Sequence, residues 1–92
     1  MTTPQLLVEV KTQYTVDAMR AKMQGAVELE VVVLVDGSVD PRRIRITRSL
    51  DRAFGLDEQA IAAVRQWRFR PGTLKGRAVP VRVIIELTFT LR

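Results

Sequence analysis

Apolar and polar residues alternate along three stretches of the chain, and each alternation predicts a β-strand. The clearest stretch is Val27–Val35, in which every second side chain is apolar and points to one face. Asp36-Gly37 follows directly and predicts a tight hairpin turn, because this dipeptide tolerates positive φ. The return strand is predicted over Arg43–Ser49. Pro41 lacks a backbone donor, so this strand begins after it or lies at a sheet edge.

The last and longest alternation runs from Ala78 to Leu91. One face of this predicted strand is apolar and is made of Val81, Val83, Ile85, Leu87, Phe89 and Leu91. The opposite face is mixed and is made of Arg82, Ile84, Glu86, Thr88 and Thr90. Such a pattern is typical of a strand with one buried and one solvated face.

Two helices are predicted from apolar residues that recur at helical spacing. The first covers Thr15–Gln24, with Thr15 as N-cap and Gly25 as left-handed C-cap, and it turns three residues toward the core: Val16, Met19 and Met23. The second covers Leu56–Arg68 and ends before Arg70, because the residue before Pro71 disfavours helical geometry. Its apolar stripe consists of Leu56, Ala60, Ile61, Val64 and Trp67.

The order of these elements predicts the α+β class, a three-stranded antiparallel sheet with two helices packed on one face. Val27–Val35 is the predicted central strand, which leaves the other two strands at the edges. Residues 1–9 are interpreted as an N-terminal arm, within which Gln5–Lys11 begins as a short strand. Residues 10–92 are interpreted as the domain itself.

Composition narrows the classes of function. The chain has 92 residues, no cysteine and no histidine, and a net charge of +5. The absence of histidine removes the commonest general base and metal ligand, and scattered carboxylates such as Asp51, Asp57 and Glu58 show no ligand spacing. We therefore expect neither an enzyme nor a metal or cofactor site. The chain also lacks a recognisable secretory signal and a run of about 20 apolar residues.

Three motifs in order carry a family resemblance. Residues 25–33 followed by Asp36-Gly37-Ser38-Val39 resemble the first hairpin of the TonB C-terminal domain. Residues 56–66 followed by Trp67-Arg68-Phe69-Arg70-Pro71 are similar to that family's helix and its Trp-Arg-Phe-x-Pro ending. Residues 76–83 resemble its lead into the last strand.

This resemblance implies a periplasmic energy transducer. Proteins of this type have an N-terminal inner-membrane helix that works with an ExbB–ExbD-type motor, and a Pro-rich spacer before this domain. The domain binds the TonB box of outer-membrane receptors for siderophores, cobalamin or similar cargo. Neither the helix nor the spacer lies within these 92 residues, so we expect a domain of a longer protein or a stand-alone relative.

The resemblance also implies where the partner binds. In the family the TonB box adds as a strand beside the last strand, and a Gln-Pro-Gln-Tyr-Pro-like segment before the first helix helps to contact the receptor. Gln13 and Tyr14 match that segment, whereas both prolines are absent. The candidate partner-binding residues are Gln13, Tyr14, Arg82, Ile84, Glu86, Thr88 and Thr90. The candidate structural core comprises Val31, Val33, Val64, Trp67, Val83 and Leu87.

Other interpretations of the sequence remain at this stage. The same edge strand can pair with a second copy to form a homodimer. A related cell-envelope module, which anchors peptidoglycan or serves secretion or motility, would use the same fold. Nucleic-acid binding is disfavoured, because the few aromatic residues are needed in the core rather than for base stacking. The arm Gln5–Lys11 can also fold back and cover the binding edge.

Overall fold

The structure, a computed structural model, describes residues 1–91, and none of the helices in that span is long and apolar enough to cross a membrane. Its elements in chain order are β1 (Gln5–Val8), α1 (Val16–Arg20), β2 (Gly25–Val33), β3 (Val39–Arg48), α2 (Leu56–Val64), β4 (Arg68–Arg70), β5 (Thr73–Leu74), β6 (Arg77–Ala78) and β7 (Val81–Phe89).

The main sheet has three antiparallel strands in the order β3-β2-β7, and this confirms the predicted α+β class. Alternate side chains of β2 are fully buried on one face, and Ala18 of α1 and Leu56, Ala60 and Val64 of α2 belong to the same apolar cluster. Both helices therefore cover a single face of the sheet, as the alternation of β2 and β7 requires.

The two sides of β2 are paired differently. Along β7 the register is unbroken over nine residue pairs, from Gly25 opposite Phe89 to Val33 opposite Val81. Along β3 the register shifts twice, and between Val31 and Val33 the partner strand advances from Ile44 to Val39. Bulges of this kind bend and twist an edge strand. Pro41 lies inside β3, where the edge position tolerates its missing donor.

The predicted first helix is too long. It begins as expected, because Thr15 Oγ1 accepts a hydrogen bond from the Ala18 N–H at 3.1 Å. It ends at Arg20, because Lys22 adopts φ 54° and the Met23 N–H bonds back to the Ala18 carbonyl at 3.0 Å, which terminates a helix. Gly25 instead opens β2 with φ 146°.

The predicted core face of this helix is also wrong. Val16 and Met19 are 63% and 51% exposed, whereas Ala18 is fully buried. A helix of five residues can bury only one narrow stripe, and here that stripe is the Ala18 side chain, which belongs to the core cluster. Met23 packs against the core from the loop that follows α1.

The second helix also ends earlier than predicted, at Val64 rather than at Arg68. Trp67 follows the last turn, where its N–H bonds to the Val64 carbonyl at 3.0 Å. The chain then becomes extended as β4, because β1 offers it a ladder partner with Leu6 opposite Phe69. This pairing joins segments far apart in sequence, which helical periodicity does not reveal.

The strand ends differ from the prediction for local reasons. Val35 lies in the hairpin turn and is exposed, and the return strand begins at Val39. The turn needs glycine, because Gly37 has φ 87° and a Cβ there would lie 2.1 Å from the Phe69 carbonyl oxygen. Ala78 pairs within the small β5–β6 ribbon, and Pro80 separates that ribbon from β7.

The loop before α2 is held by two carboxylates. Asp51 is buried and accepts backbone hydrogen bonds from Ala53 at 2.8 Å and from Phe54 at 3.0 Å. Asp57 accepts from the Ser49 hydroxyl and from the Leu50 N–H. Burial raises the pKa of Asp51, but the N–H groups that bond to its carboxylate outweigh burial and hold that pKa below its usual value.

The indole of Trp67 links the core to the N-terminal arm. Trp67 is 5% exposed, its ring lies 6.3 Å from that of Phe69, and its Nε1 donates to the Val10 carbonyl at 2.8 Å. A buried indole N–H is costly without an acceptor. Val10, the residue after the arm, therefore completes the core around Trp67.

We predict that Trp67→Ala lowers the free energy of unfolding by about 3–5 kcal/mol, because it opens a large cavity in the core. Urea unfolding followed by circular dichroism measures this loss. Trp67→Phe is the control, since it keeps an aromatic ring and removes the hydrogen bond to Val10. A Trp67→Ala variant within about 1 kcal/mol of the parent would contradict the core assignment.

We predict that acid destabilises the domain in part through Asp51. Because the folded-state pKa is depressed, its stabilisation is fully present above the unfolded value of about 3.9 and is lost as pH falls toward the folded pKa. Urea midpoints measured from pH 6 to pH 2.5 should therefore decline below about pH 4. Asp51→Asn should be less stable at pH 6 and decline less steeply. Equal declines in both proteins would refute this role.

Candidate functional site

The outer edge of β7 presents unpaired backbone groups. The backbone carbonyl of Glu28 in β2 accepts a hydrogen bond from the side-chain hydroxyl of Thr47 in β3 at 3.1 Å. The backbone N–H and C=O of Glu28 therefore face β3. Directly opposed residues of an antiparallel pair either face each other or face apart. Glu86 lies opposite Glu28, so its N–H and C=O point away from β2. By alternation the same holds for Arg82, Ile84 and Thr88.

The side chains of these residues stand on the face of the sheet away from the helices. We call Arg82, Ile84, Glu86 and Thr88 the outer row. All four are exposed, and Ile84 is 57% exposed despite its apolar side chain. Each residue of the outer row therefore offers both an unpaired backbone and an accessible side chain, which are what a partner strand reads in strand addition.

A cleft of about 440 Å³ follows the C-terminal half of this edge. One wall is Glu86–Thr90, and the other is the segment Glu9–Thr12 together with Tyr14 and Trp67. We call it the β7 cleft. The second wall was missed in the sequence. In the sequence, this wall is indicated only by the fact that a buried Trp67 indole needs a hydrogen-bond acceptor. The Val10 carbonyl is that acceptor.

The arm does not pair with this edge. β1 pairs with β4 in the register Gln5 opposite Arg70, and Thr2 forms a bridge with Thr73. Among residues 1–91, no strand is paired with the outer side of β7. The interpretation in which Gln5–Lys11 covers the binding edge is therefore wrong for its strand portion, because β4 takes the ladder bonds of β1.

The structure separates the two candidate residues before α1. Tyr14 lies in the β7 cleft, where its ring meets Phe89 edge to face at 5.4 Å and its hydroxyl donates to the Met23 carbonyl at 2.8 Å. Gln13 is exposed and lines a separate depression beside Gln59 and Gln66. Tyr14, Glu86, Thr88 and Thr90 are thus brought together, whereas Arg82 and Ile84 lie farther along the edge.

The opposite edge of the sheet is poorly suited to strand addition. β3 carries two register shifts, a proline and exposed arginines, and these features discourage pairing at an edge. β7 carries none of the shifts. The sheet therefore has one protected edge and one open edge.

Arginines also surround a shallow depression on the outer face of the sheet, lined among others by Arg42, Arg45 and Arg82. Arg45 and Arg82 both pair with Glu30, at 3.3 and 3.4 Å. Exposed pairs of this kind contribute little to stability. The aromatic rings of Trp67 and Phe69 are buried on the other face, so they offer no platform for base stacking beside these arginines.

The polar residues in the loop before α2 and at the start of that helix stabilise the fold. Ser49 donates to Asp57, and Asp51 accepts backbone hydrogen bonds in the loop before α2. Within residues 1–91, no group of three or more Asp, Glu, His or Cys side chains is arranged to hold a metal ion. The open edge of β7 is therefore the feature with a recognisable binding chemistry.

The outer face contains one opposition of like charges. Glu86 and Glu28 lie directly across the β2–β7 ladder. Thr47 donates to the Glu28 carboxylate at 2.9 Å, and Arg48 is opposite Glu28 on β3. No ion pair within residues 1–91 includes either glutamate. Like charges opposed in this way destabilise a strand pair.

Fold and edge together define a class of protein: a small α+β domain whose three-stranded sheet has one open, regular edge strand within residues 1–91. The family model described as Gram-negative bacterial TonB protein C-terminal matches residues 10–91. The chain belongs to this family, which confirms the resemblance seen in its motifs.

Individual relatives agree with this assignment. Protein tonB2 of Pseudomonas aeruginosa is 35% identical over 79 residues, and Protein TonB of Xanthomonas campestris pv. campestris is 32% identical over 79 residues. Each alignment covers 86% of this chain but only 28% and 34% of the respective relative. The chain thus spans about a third of the length of these proteins.

A solved structure supports the fold. The solution NMR structure of the Pseudomonas aeruginosa TonB C-terminal domain superimposes with a TM-score of 0.76 at 21% sequence identity. The superposition covers 99% of this chain and 89% of that one.

We predict that Glu86→Gln raises the melting temperature by about 1–5 °C, because it removes the repulsion from Glu28. Calorimetry measures the shift. Glu58→Gln is the matched control, since it removes the same charge from the first turn of α2. That change should lower the melting temperature slightly, because a helix N-terminus favours negative charge. A lower melting temperature in Glu86→Gln would contradict the repulsion.

Proposed function

We propose that this chain is the periplasmic receptor-binding domain of a TonB-type energy transducer. Its partner is the TonB box of an outer-membrane receptor, which binds as an added strand along β7. The observation that carries the proposal is the outer row, whose backbone groups face away from β2 and have no strand partner among residues 1–91. Backbone bonds would supply affinity, and alternate side chains would supply specificity.

The β7 cleft supports the same site. A strand beside β7 would enter the space between Glu86–Thr90 and Glu9–Thr12 and approach Tyr14. Tyr14 is held by its hydrogen bond to Met23 and its contact with Phe89, so it is pre-positioned rather than mobile in the cleft. Gln13 is a separate contact for receptor surface outside the added strand.

The rest of the transducer is proposed from family membership. An N-terminal helix would anchor the longer protein in the inner membrane and couple it to an ExbB–ExbD-type motor. The domain would then pass proton-motive energy to receptors for siderophores or similar cargo, without a catalytic step or cofactor of its own. Force along the added strand would load several hydrogen bonds together, which suits a tether under tension.

A second copy of the chain is a competing occupant of the same edge. Antiparallel pairing of two β7 strands about Ile84 would place Arg82 of each copy opposite Glu86 of the other. The exposed Ile84 side chains would meet at the centre. This self-complementary pattern favours a homodimer at high concentration, so partner binding is tested on the monomer. An envelope-anchoring relative would use the same edge for a different partner.

We predict that Ile84→Pro abolishes partner binding while the domain stays folded. Proline removes the outward N–H of residue 84, which contributes nothing to the β2–β7 ladder. The measurement is an NMR titration of the labelled monomer with peptides that span TonB boxes of receptors from the same organism. The parent should show shifts along β7 and at Tyr14, and affinity should fall more than tenfold in the variant.

Two variants control this experiment. Ile84→Val keeps the backbone N–H of residue 84 and should bind the peptides like the parent. Thr88→Pro removes the outward N–H of residue 88 and should lose binding, as Ile84→Pro does. A well-dispersed spectrum shows that each proline variant is folded. If Ile84→Pro binds as tightly as the parent with the same shifts, the strand-addition mechanism is wrong.

A further inference from the structure

The outer row carries a charge pattern that selects among partner strands. At one end Arg82 shares the Glu30 carboxylate with Arg45, and its Nε lies 3.4 Å from that carboxylate. Ile84 follows, with no charge. Glu86 comes next, and it faces Glu28 across the ladder without an ion pair to any residue in 1–91. At the Glu86 position of the open edge, the uncompensated charge is therefore negative.

This local negative charge is opposite in sign to the net charge of the whole chain. The net charge of the protein is +5, and exposed arginines dominate the β3 side of the same face. A partner drawn by long-range attraction alone would be acidic. At contact distance, however, an acidic side chain of the partner beside Glu86 would be repelled, because Glu86 already lies opposite the Glu28 carboxylate.

The position of Glu86 makes it a neighbour of any added strand. Its backbone N–H and C=O point outward, so a residue of the partner pairs directly with it. In antiparallel addition, directly opposed residues carry their side chains on the same face, with Cβ atoms about 4.5–5.5 Å apart. The partner's side chain at that point must therefore lie beside the Glu86 carboxylate.

We propose that the strand captured by β7 carries a basic side chain, lysine or arginine, directly opposite Glu86. This inference rests on the proposed strand addition and specifies its partner. A basic side chain there would lie beside Glu86, and its attraction to that carboxylate would offset the repulsion that Glu86 meets from Glu28 on its other side. Glu86 is thus a specificity-determining residue of the edge.

The test is a position scan with charge reversal. The probes are the TonB-box peptides described above, with each position replaced in turn by lysine and by glutamate. Fluorescence anisotropy measures their affinity for the parent domain and for Glu86→Lys. At one position, lysine should bind the parent about three- to tenfold more tightly than glutamate. The same position should prefer glutamate in Glu86→Lys.

Glu58→Lys is the matched control, because it makes the same change in net charge on α2, away from the edge. It should keep the lysine preference of the parent. The preference should also weaken as salt rises, since exposed charges are screened.

The outcomes separate this inference from the function on which it rests. Peptides that bind along β7 with no position whose preference reverses in Glu86→Lys overturn the charge selection and leave strand addition intact. An equal reversal in Glu58→Lys overturns it too, because net charge alone would then explain the effect. Peptides that do not bind along β7 at all overturn both proposals.

Discussion

The structure depends on the position of β2 between β3 and β7. Val27, Leu29, Val31 and Val33 are fully buried on the helix side of β2, and they form the floor on which α1 and α2 pack. The unbroken ladder with β7 fixes which side chains of β7 face the core and which face outward. A slip of one residue would bury the outer row and expose Ile85 and Leu87.

Because β2 is central, the two edge strands become the surfaces open to partners, and the chain treats them differently. Two register shifts, a proline and a row of arginines protect β3. β7 remains regular over its full length and unpaired on its outer side within residues 1–91. This asymmetry leaves β7 as the edge of the main sheet that is both regular and open within residues 1–91. It also agrees with membership of the TonB C-terminal family.

The N-terminal arm has a structural part and a part next to the site. β1 is held by β4, and the Val10 carbonyl is held by the indole of Trp67. The residues between β1 and Tyr14 thereby form the second wall of the β7 cleft. The core residue Trp67 and the open edge of β7 are thus connected through the segment around Val10, so a change in the core around Trp67 would also alter the cleft.

Periodicity in the sequence determined the faces of β2 and β7, the hairpin at Asp36-Gly37 and the α+β class, because these follow from local alternation and turn chemistry. Three motifs taken in order, with Trp67-Arg68-Phe69-Arg70-Pro71 among them, indicated the family. Only the tertiary structure decided that β4 replaces the last turn of the second helix, that Val10 accepts the Trp67 hydrogen bond, and that Glu86 opposes Glu28. Each of these depends on pairing between segments distant along the chain, and local patterns do not encode which strands become neighbours.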